Sequence, residues 1–190
     1  RLDISQNTKI GREGVSLMTN NLFGLTCLGI STSSNELSGI TIGELGAMAI
    51  AHGLWLLETL YISKLLLELG FCGIGENGAQ SIASKMRLLT KLGIGIEGTN
   101  SASNSIGSIG AMAIAEGLPN LTLLWIGSVD HEDGNAIGDA AALQLINKLP
   151  LLQTLYIGTA LTDLDGNMLS NDCKSTIRQA LPKAKLKFDP

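Results

Sequence analysis

The chain has 190 residues, of which 45% are hydrophobic and 16% are charged, and its net charge at pH 7 is -4. This composition suits a single domain with a substantial core, and it argues against nucleic-acid binding, which requires clustered Lys and Arg. The three cysteines include no C-x-x-C pair. We therefore expect no disulfide framework and favour a cytoplasmic location. No apolar run is long enough to predict a membrane span.

The first predicted element of each unit is a short strand with the pattern L-x-x-L-x-I. Complete copies begin at five positions: Leu25, Leu57, Leu89, Leu121 and Leu152. Their starts lie 32, 32, 32 and 31 residues apart. A partial copy at 2–4 opens the chain, and a degenerate copy at 183–188 closes it. Because the last two apolar positions alternate, the pattern predicts a strand with one buried face in each of seven copies.

The second predicted element is a helix with the pattern I-G-x-x-G-A-x-x-I-A-x-x-L. Copies or variants of it begin at Ile10, Ile42, Ile74, Ile106 and Ile137. A sixth, degenerate copy lies at 169–181. Their apolar residues recur at helical spacing, which predicts six amphipathic helices. Acidic residues occupy the first turn of three of them, where they complement the helix dipole: Glu44, Glu76 and Asp139. We expect the small residues at 46–47, 78–79 and 110–111 to face the strand layer and to allow a close approach.

Stacking of such units predicts an α/β solenoid, because one strand and one helix cannot bury their apolar sides alone. Strands need ~4.8 Å each and helices ~10 Å, so the stack should bend. The parallel β-sheet would then line the concave face, and the helices would lie on the convex face. We expect residues 1–190 to form one domain of about six repeats of 31–32 residues, ending in a capping strand at 183–188.

The two patterns resemble the leucine-rich repeats of the ribonuclease-inhibitor-like class, and the opening segment L-D-I-S-Q-N keeps the asparagine of that class at Asn7. The resemblance implies a horseshoe fold. It also implies a protein ligand, since such proteins serve as inhibitors, immune-receptor sensors and bacterial effectors, the last acting in the host-cell cytoplasm. One branch activates small GTPases. The chain departs from the class because most strand-to-helix connections carry about six extra residues, and the usual asparagine is expected to be displaced to Asn35 or missing.

One position of the strand pattern contains most of the Tyr and Trp residues of the chain. Between the second Leu and the Ile, the seven copies have Asp3, Gly29, Tyr61, Gly93, Trp125, Tyr156 and Lys187. Three of the four Tyr and Trp residues of the chain are therefore predicted on the concave face. Tyr and Trp are enriched at binding hot spots, which favours an interface. Simple packing across neighbouring strands is the alternative.

The rest of the predicted partner-binding site surrounds this aromatic position. We expect Gly29 and Gly93 to leave hollows beside Tyr61, and Trp125 and Tyr156 to touch. Polar and apolar neighbours would complete the surface: Glu58, Lys64, Lys91, Leu123 and Gln153.

The sequence therefore predicts a protein-binding module, monomeric when free, that holds a protein partner on its concave face and thereby inhibits or regulates an enzyme. A small-GTPase regulator is the first alternative, although no Arg lies on the predicted concave strands. A structural segment of a larger receptor or effector is the second. We expect no catalysis and no cofactor, because neither His52 nor His131 pairs with a Ser or Cys in a recognisable frame.

Three predicted loops leave alternatives open. The apolar loop at 63–73 either packs over the core or forms a second contact patch. The acidic loop at 129–135, which contains His131, is interpreted as a solvated rim in preference to a metal site. The segment at 162–167 is similar to part of a calcium loop, but its glycine is misplaced and the final Glu ligand is absent.

Overall fold

The computed structural model describes residues 1–4, 10–31, 42–63, 73–94, 104–127, 135–157, 169–181 and 185–187. In these ranges, seven strands alternate with six helices. In chain order they are β1 (Leu2–Asp3), α1 (Arg12–Asn21), β2 (Cys27–Ser31), α2 (Gly43–Gly53), β3 (Thr59–Ser63), α3 (Gly75–Lys85), β4 (Lys91–Gly93), α4 (Gly107–Gly117), β5 (Leu123–Trp125), α5 (Asp139–Lys148), β6 (Thr154–Tyr156), α6 (Asn171–Ala180) and β7 (Lys185–Lys187). The predicted alternation of strands and helices is confirmed.

All seven strands belong to one parallel sheet in which the spatial order equals the chain order. Equivalent positions of the repeats stand side by side, so that Leu28 pairs with Leu60 and Leu60 pairs with Leu92. Backbone bonds also join the segments before the strands, where the amide of Glu58 donates to the carbonyl of Thr26 at 2.8 Å. Each strand is thus placed by the strand before it. Of the predicted capping strand at 183–188, the structure describes Lys185–Lys187, which form β7.

The residues at the apolar positions of both patterns form one core between the sheet and the helices. In the second complete repeat, Leu57, Leu60 and Ile62 are fully buried. Helix α2 contributes Ile50 and Ala51, and Ile42, just before that helix, is buried as well. The inner repeats fill the same positions, so the core continues along the stack, whereas Leu22 in the first repeat is 40% exposed. The sequence pattern therefore predicted the buried side of both layers.

Small residues let each helix approach its neighbour. A Cβ atom placed on Gly78 would lie 3.0 Å from the Cβ of Ala47, and one placed on Gly110 would lie 3.0 Å from the Cβ of Ala79. At the end of α4, Gly117 faces the backbone carbonyl group of Ala83. The predicted close approach is confirmed, but the approaching element at Gly78 and Gly110 is the preceding helix and not the strand layer. Helices stacked in register leave no room for a larger side chain at these points.

Two buried asparagines stabilise the connections between a strand and the next helix through side-chain hydrogen bonds. The Nδ2 of Asn104 donates to the carbonyl of Ile94 at 2.7 Å, and its Oδ1 accepts from the amide of Ile74 at 3.5 Å. Asn135 makes the equivalent of the bond to Ile94, because its Nδ2 donates to the carbonyl of Ile126 at 2.8 Å. In these two repeats an asparagine is therefore present but displaced, as one of the two predicted possibilities had it, and it lies two residues before the helix pattern. Asn35 lies outside the described residues.

The starts of neighbouring helices are joined by polar bonds. The Nδ2 of Asn77 donates to Oε1 of Glu44 at 2.9 Å. At the end of the stack, Asp139 accepts two bonds from Ser170, from the amide at 2.9 Å and from the hydroxyl at 2.5 Å. Glu44 and Asp139 thus bond to the next repeat, in addition to complementing the dipole of their own helix.

Candidate functional site

The register of the sheet brings the three predicted aromatic residues into one row. Tyr61 stands beside Gly93, Gly93 beside Trp125, and Trp125 beside Tyr156. The residues that precede them on these strands, among them Leu60 and Leu124, are fully buried. Since side chains alternate along a strand, Tyr61, Trp125 and Tyr156 lie on the opposite, outer face of the sheet. We call these three residues the aromatic row. Their side chains are half-buried.

Trp125 and Tyr156 form a direct aromatic contact. Their ring centroids are 6.3 Å apart and the ring planes meet at 58°. This tilted arrangement lies within the range that aromatic pairs prefer, because the positive edge of one ring approaches the negative face of the other. The prediction that these two rings touch is confirmed. The two planes present an angled surface and not a flat one.

Tyr61 occupies the space above Gly93. A Cβ atom placed on Gly93 would overlap Cδ1 of the Tyr61 ring and would lie 3.0 Å from Cε1. The ring therefore lies across β4 and covers the backbone of Gly93, which is buried. The predicted hollow at Gly93 is not open, because Tyr61 itself fills it. The Tyr61 ring thus extends towards β5, the strand that carries Trp125.

The environment of Tyr61 favours its neutral form. Burial raises the pKa of the phenol above its ordinary value, and the negative charge that Cys27 carries when ionised acts in the same direction. The hydroxyl group is therefore protonated at neutral pH and can both donate and accept a hydrogen bond. Tyr61 offers a contacting group an apolar ring together with one polar atom.

Polar residues border the aromatic row on the side where the strands begin. Glu58, Lys91 and Gln153 are exposed, and Leu123 is half-buried. Lys91 stands beside Leu123 in the sheet register. Of the predicted site, only Lys64 lies outside the described residues. The remaining members form an apolar centre with a polar border.

Two threonines stabilise this border. The Oγ1 of Thr90 donates to the carbonyl of Glu58 at 3.1 Å, and the Oγ1 of Thr122 donates to the carbonyl of Thr90 at 3.0 Å. Each threonine adds a side-chain bond to the backbone bond between the same strands. The beginnings of β3, β4 and β5 are therefore held in fixed positions below the aromatic row.

A second set of exposed apolar residues was not predicted. Phe23, Trp55 and Leu88 are 67%, 55% and 48% exposed, and they lie in the turns before β2, β3 and β4. A sequence signal was available, because Phe23 and Trp55 each follow the residue that closes the helix pattern. Later repeats have Pro119 and Pro150 at that position.

The described residues contain no group of three or more His, Cys, Asp or Glu side chains that could hold a metal ion. Within the same part of the chain, no helix is both long and apolar enough to cross a membrane. His52 is exposed, and its Nδ1 lies 2.8 Å from the carbonyl oxygen of Met48. Residues 129–134 of the predicted acidic loop, residues 64–72 of the predicted apolar loop and the whole segment 162–167 lie outside the described residues.

No protein-family model matches the chain. No curated protein is significantly similar to it in sequence.

Proposed function

We propose that the chain is a leucine-rich-repeat protein of the ribonuclease-inhibitor-like class, and that the outer face of its sheet is the concave face of a horseshoe that binds a protein partner. The regular stack of strand and helix units supports this assignment, as do the two repeated patterns. The two buried asparagines before the helices agree with it as well.

The aromatic row is the observation that carries the binding function. The core is already filled by the buried Leu and Ile residues of the same strands, so these rings are not needed to complete it. Large amphipathic rings gathered on an outer face, with exposed polar residues beside them, have the composition of a binding hot spot with a polar rim. By covering part of an enzyme, such a surface would inhibit or regulate it. The free thiols of Cys27 and Cys173 suit a partner in a reducing compartment such as the cytoplasm.

A three-site variant tests this proposal. Wild-type protein and the Tyr61→Ala/Trp125→Ala/Tyr156→Ala variant would be cross-linked in lysate, the captured proteins identified, and the affinity of each purified candidate measured. We expect the variant to lose more than about tenfold in affinity for the true partner, since hot-spot residues each contribute on the order of 2 kcal/mol.

The matched control removes three exposed apolar residues from the helices. Leu17, Leu45 and Ile109 are 67%, 55% and 53% exposed. Their triple substitution by Ala removes accessible apolar surface outside the sheet, and it should leave the affinity unchanged. A correctly folded aromatic-row variant that binds its partner as tightly as wild type would show that this row is not the interface.

A further inference from the structure

We propose that Gly93 is the specificity-determining residue of the concave surface, because it positions Tyr61 across β4 and so joins the three aromatic residues into one continuous surface. This inference rests on the proposed function. Gly93 would make no contact of its own with the partner, yet it would set the shape of the surface that the partner contacts.

The packing of Tyr61 on Gly93 leaves no room for any side chain at position 93. Three ring atoms, Cδ1, Cε1 and Cγ, lie within 3.5 Å of the place where a Cβ atom would stand. The overlap at Cδ1 cannot be removed by a small adjustment, because the ring is rigid and its Cβ is fixed to β3. Any other residue at 93 would therefore lift the ring away from the backbone of β4, the strand next to the one that carries Trp125.

The backbone itself does not require glycine at this position. Among the described residues, the glycines with positive φ are Gly43, Gly73, Gly75 and Gly107, and Gly93 is not one of them. Glycine inside a strand is unfavourable, and it often marks a place where another group approaches closely. Here the approaching group is the Tyr61 ring. The glycine thus serves the aromatic surface and not the fold of the strand.

This arrangement indicates the kind of partner surface that fits. With the ring lying over Gly93, aromatic groups lie on the adjacent strands β4, β5 and β6. A partner side chain cannot insert at Gly93. The matching surface is an apolar segment that lies across the strands and contacts the three rings together.

The positioning of Tyr61 can be tested without a partner. The chain has two tyrosines, so a Tyr156→Phe background leaves Tyr61 as the only phenol seen by ultraviolet titration. In this background we expect the pKa of Tyr61 to lie above the ordinary value of about 10, and Gly93→Ala to lower it towards that value, because the lifted ring becomes more exposed. Gly24→Ala is the matched control, since a Cβ atom there would meet nothing within 4 Å. It should leave the titration unchanged.

An unchanged pKa in a Gly93→Ala variant with the circular dichroism spectrum of the parent would overturn the proposal. If Gly93→Ala does not fold, the unsubstituted protein decides instead. Nuclear Overhauser contacts between the Gly93 α-protons and the Tyr61 ring protons are expected, and their absence would equally rule out the positioning.

The consequence for binding is measured with the partner identified for wild type. We expect Gly93→Ala to weaken its affinity about tenfold, comparable to the loss of one hot-spot residue, and Gly24→Ala to leave it unchanged. A lowered pKa of Tyr61 together with an unchanged affinity would overturn the role in specificity. If the aromatic-row variant keeps every partner, the proposed function fails, while the phenol titration still decides whether Gly93 positions Tyr61.

Discussion

The helix layer and the outer face of the sheet both contain glycines that another group covers, but the covering groups differ. In the helix layer, Gly117 faces the backbone carbonyl group of Ala83, and Gly78 faces the Cβ of Ala47. On the sheet, Gly93 faces the ring of Tyr61. The first two contacts join neighbouring repeats within the folded core. The third contact lies on the side of the sheet that is open to solvent.

This difference separates residues that specify the stack from residues that shape its surface. The backbone of Ala83 cannot move without displacing helix α3, which packs against α4 along its length. The ring of Tyr61 can rotate into solvent if something else occupies its place. The same substitution of glycine by alanine should therefore affect stability in one layer and surface shape in the other.

The largest effect is expected for Gly117→Ala. The added Cβ atom would overlap the carbonyl group of Ala83 and would lie 3.0 Å from its Cβ. We expect a loss of about 2 to 3 kcal/mol in the free energy of unfolding, as for other overpacked cores. Urea denaturation measures this loss, and Gly93→Ala should cost less than about 1 kcal/mol in the same assay, since its obstacle is a ring that can move into solvent. Equal losses for the two variants would contradict the distinction between the layers.

The next largest loss of stability is expected in the connection between a strand and the next helix. Replacing Asn104 by Ala leaves the buried carbonyl of Ile94 without its bond and also removes the acceptor for the amide of Ile74. We expect a loss of about 2 kcal/mol, because buried polar groups without partners cost about 1 to 3 kcal/mol.

Asn135 provides the matched comparison for Asn104. It makes the same Nδ2 bond, to the carbonyl of Ile126, but its buried Oδ1 accepts no hydrogen bond from any described residue. Removing Asn135 therefore also removes an unsatisfied acceptor, which offsets part of the cost. Asn135→Ala should be the milder of the two variants in the same denaturation assay, and the opposite order would refute this account.

Much of the fold followed from the repeat patterns. The period of 31–32 residues predicted the parallel sheet, its strand order and the buried residues, because equivalent apolar positions must stand side by side for the core to continue. The same register predicted that Trp125 and Tyr156 would touch. Both results depend only on backbone periodicity, which a sequence displays directly.

Other features depend on side-chain conformation, which the patterns do not contain. The direction in which Tyr61 bends decides whether Gly93 is a hollow, and the rotation of each helix decides whether Gly78 meets a strand or a helix. The asparagines at 104 and 135 were overlooked for a different reason. In the class that the sequence resembles, an asparagine follows shortly after the strand, whereas Asn104 and Asn135 stand just before the helix in this chain.

The smallest effect is expected at the end of the helix layer, where Ser170 caps α6 and bonds to Asp139. The hydroxyl of Ser170 is the main cause that lowers the pKa of Asp139, its amide contributes in the same direction, and the thiol of Cys173 adds a weaker contact. Burial, followed by the charge of Asp139, raises the pKa of Cys173 to about 11, so this thiol stays neutral in acid. We expect Ser170→Ala to cost about 1 kcal/mol at neutral pH through loss of the helix cap.

The pH dependence distinguishes the bond to Asp139 from the cap alone. A carboxyl group with a lowered pKa in the folded state stabilises the protein above its ordinary pKa, and this contribution disappears as the pH falls through the lowered value. The Ser170→Ala variant keeps only the amide bond to Asp139, so its stability should fall less in acid than that of wild type. The difference in free energy of unfolding between wild type and the variant should therefore become smaller as the pH falls. Urea denaturation at a series of pH values from about 6 down to about 2 measures this difference. A gap that stays constant over this range would mean that Ser170 acts only as a cap and that its bond to Asp139 does not stabilise the end of the stack.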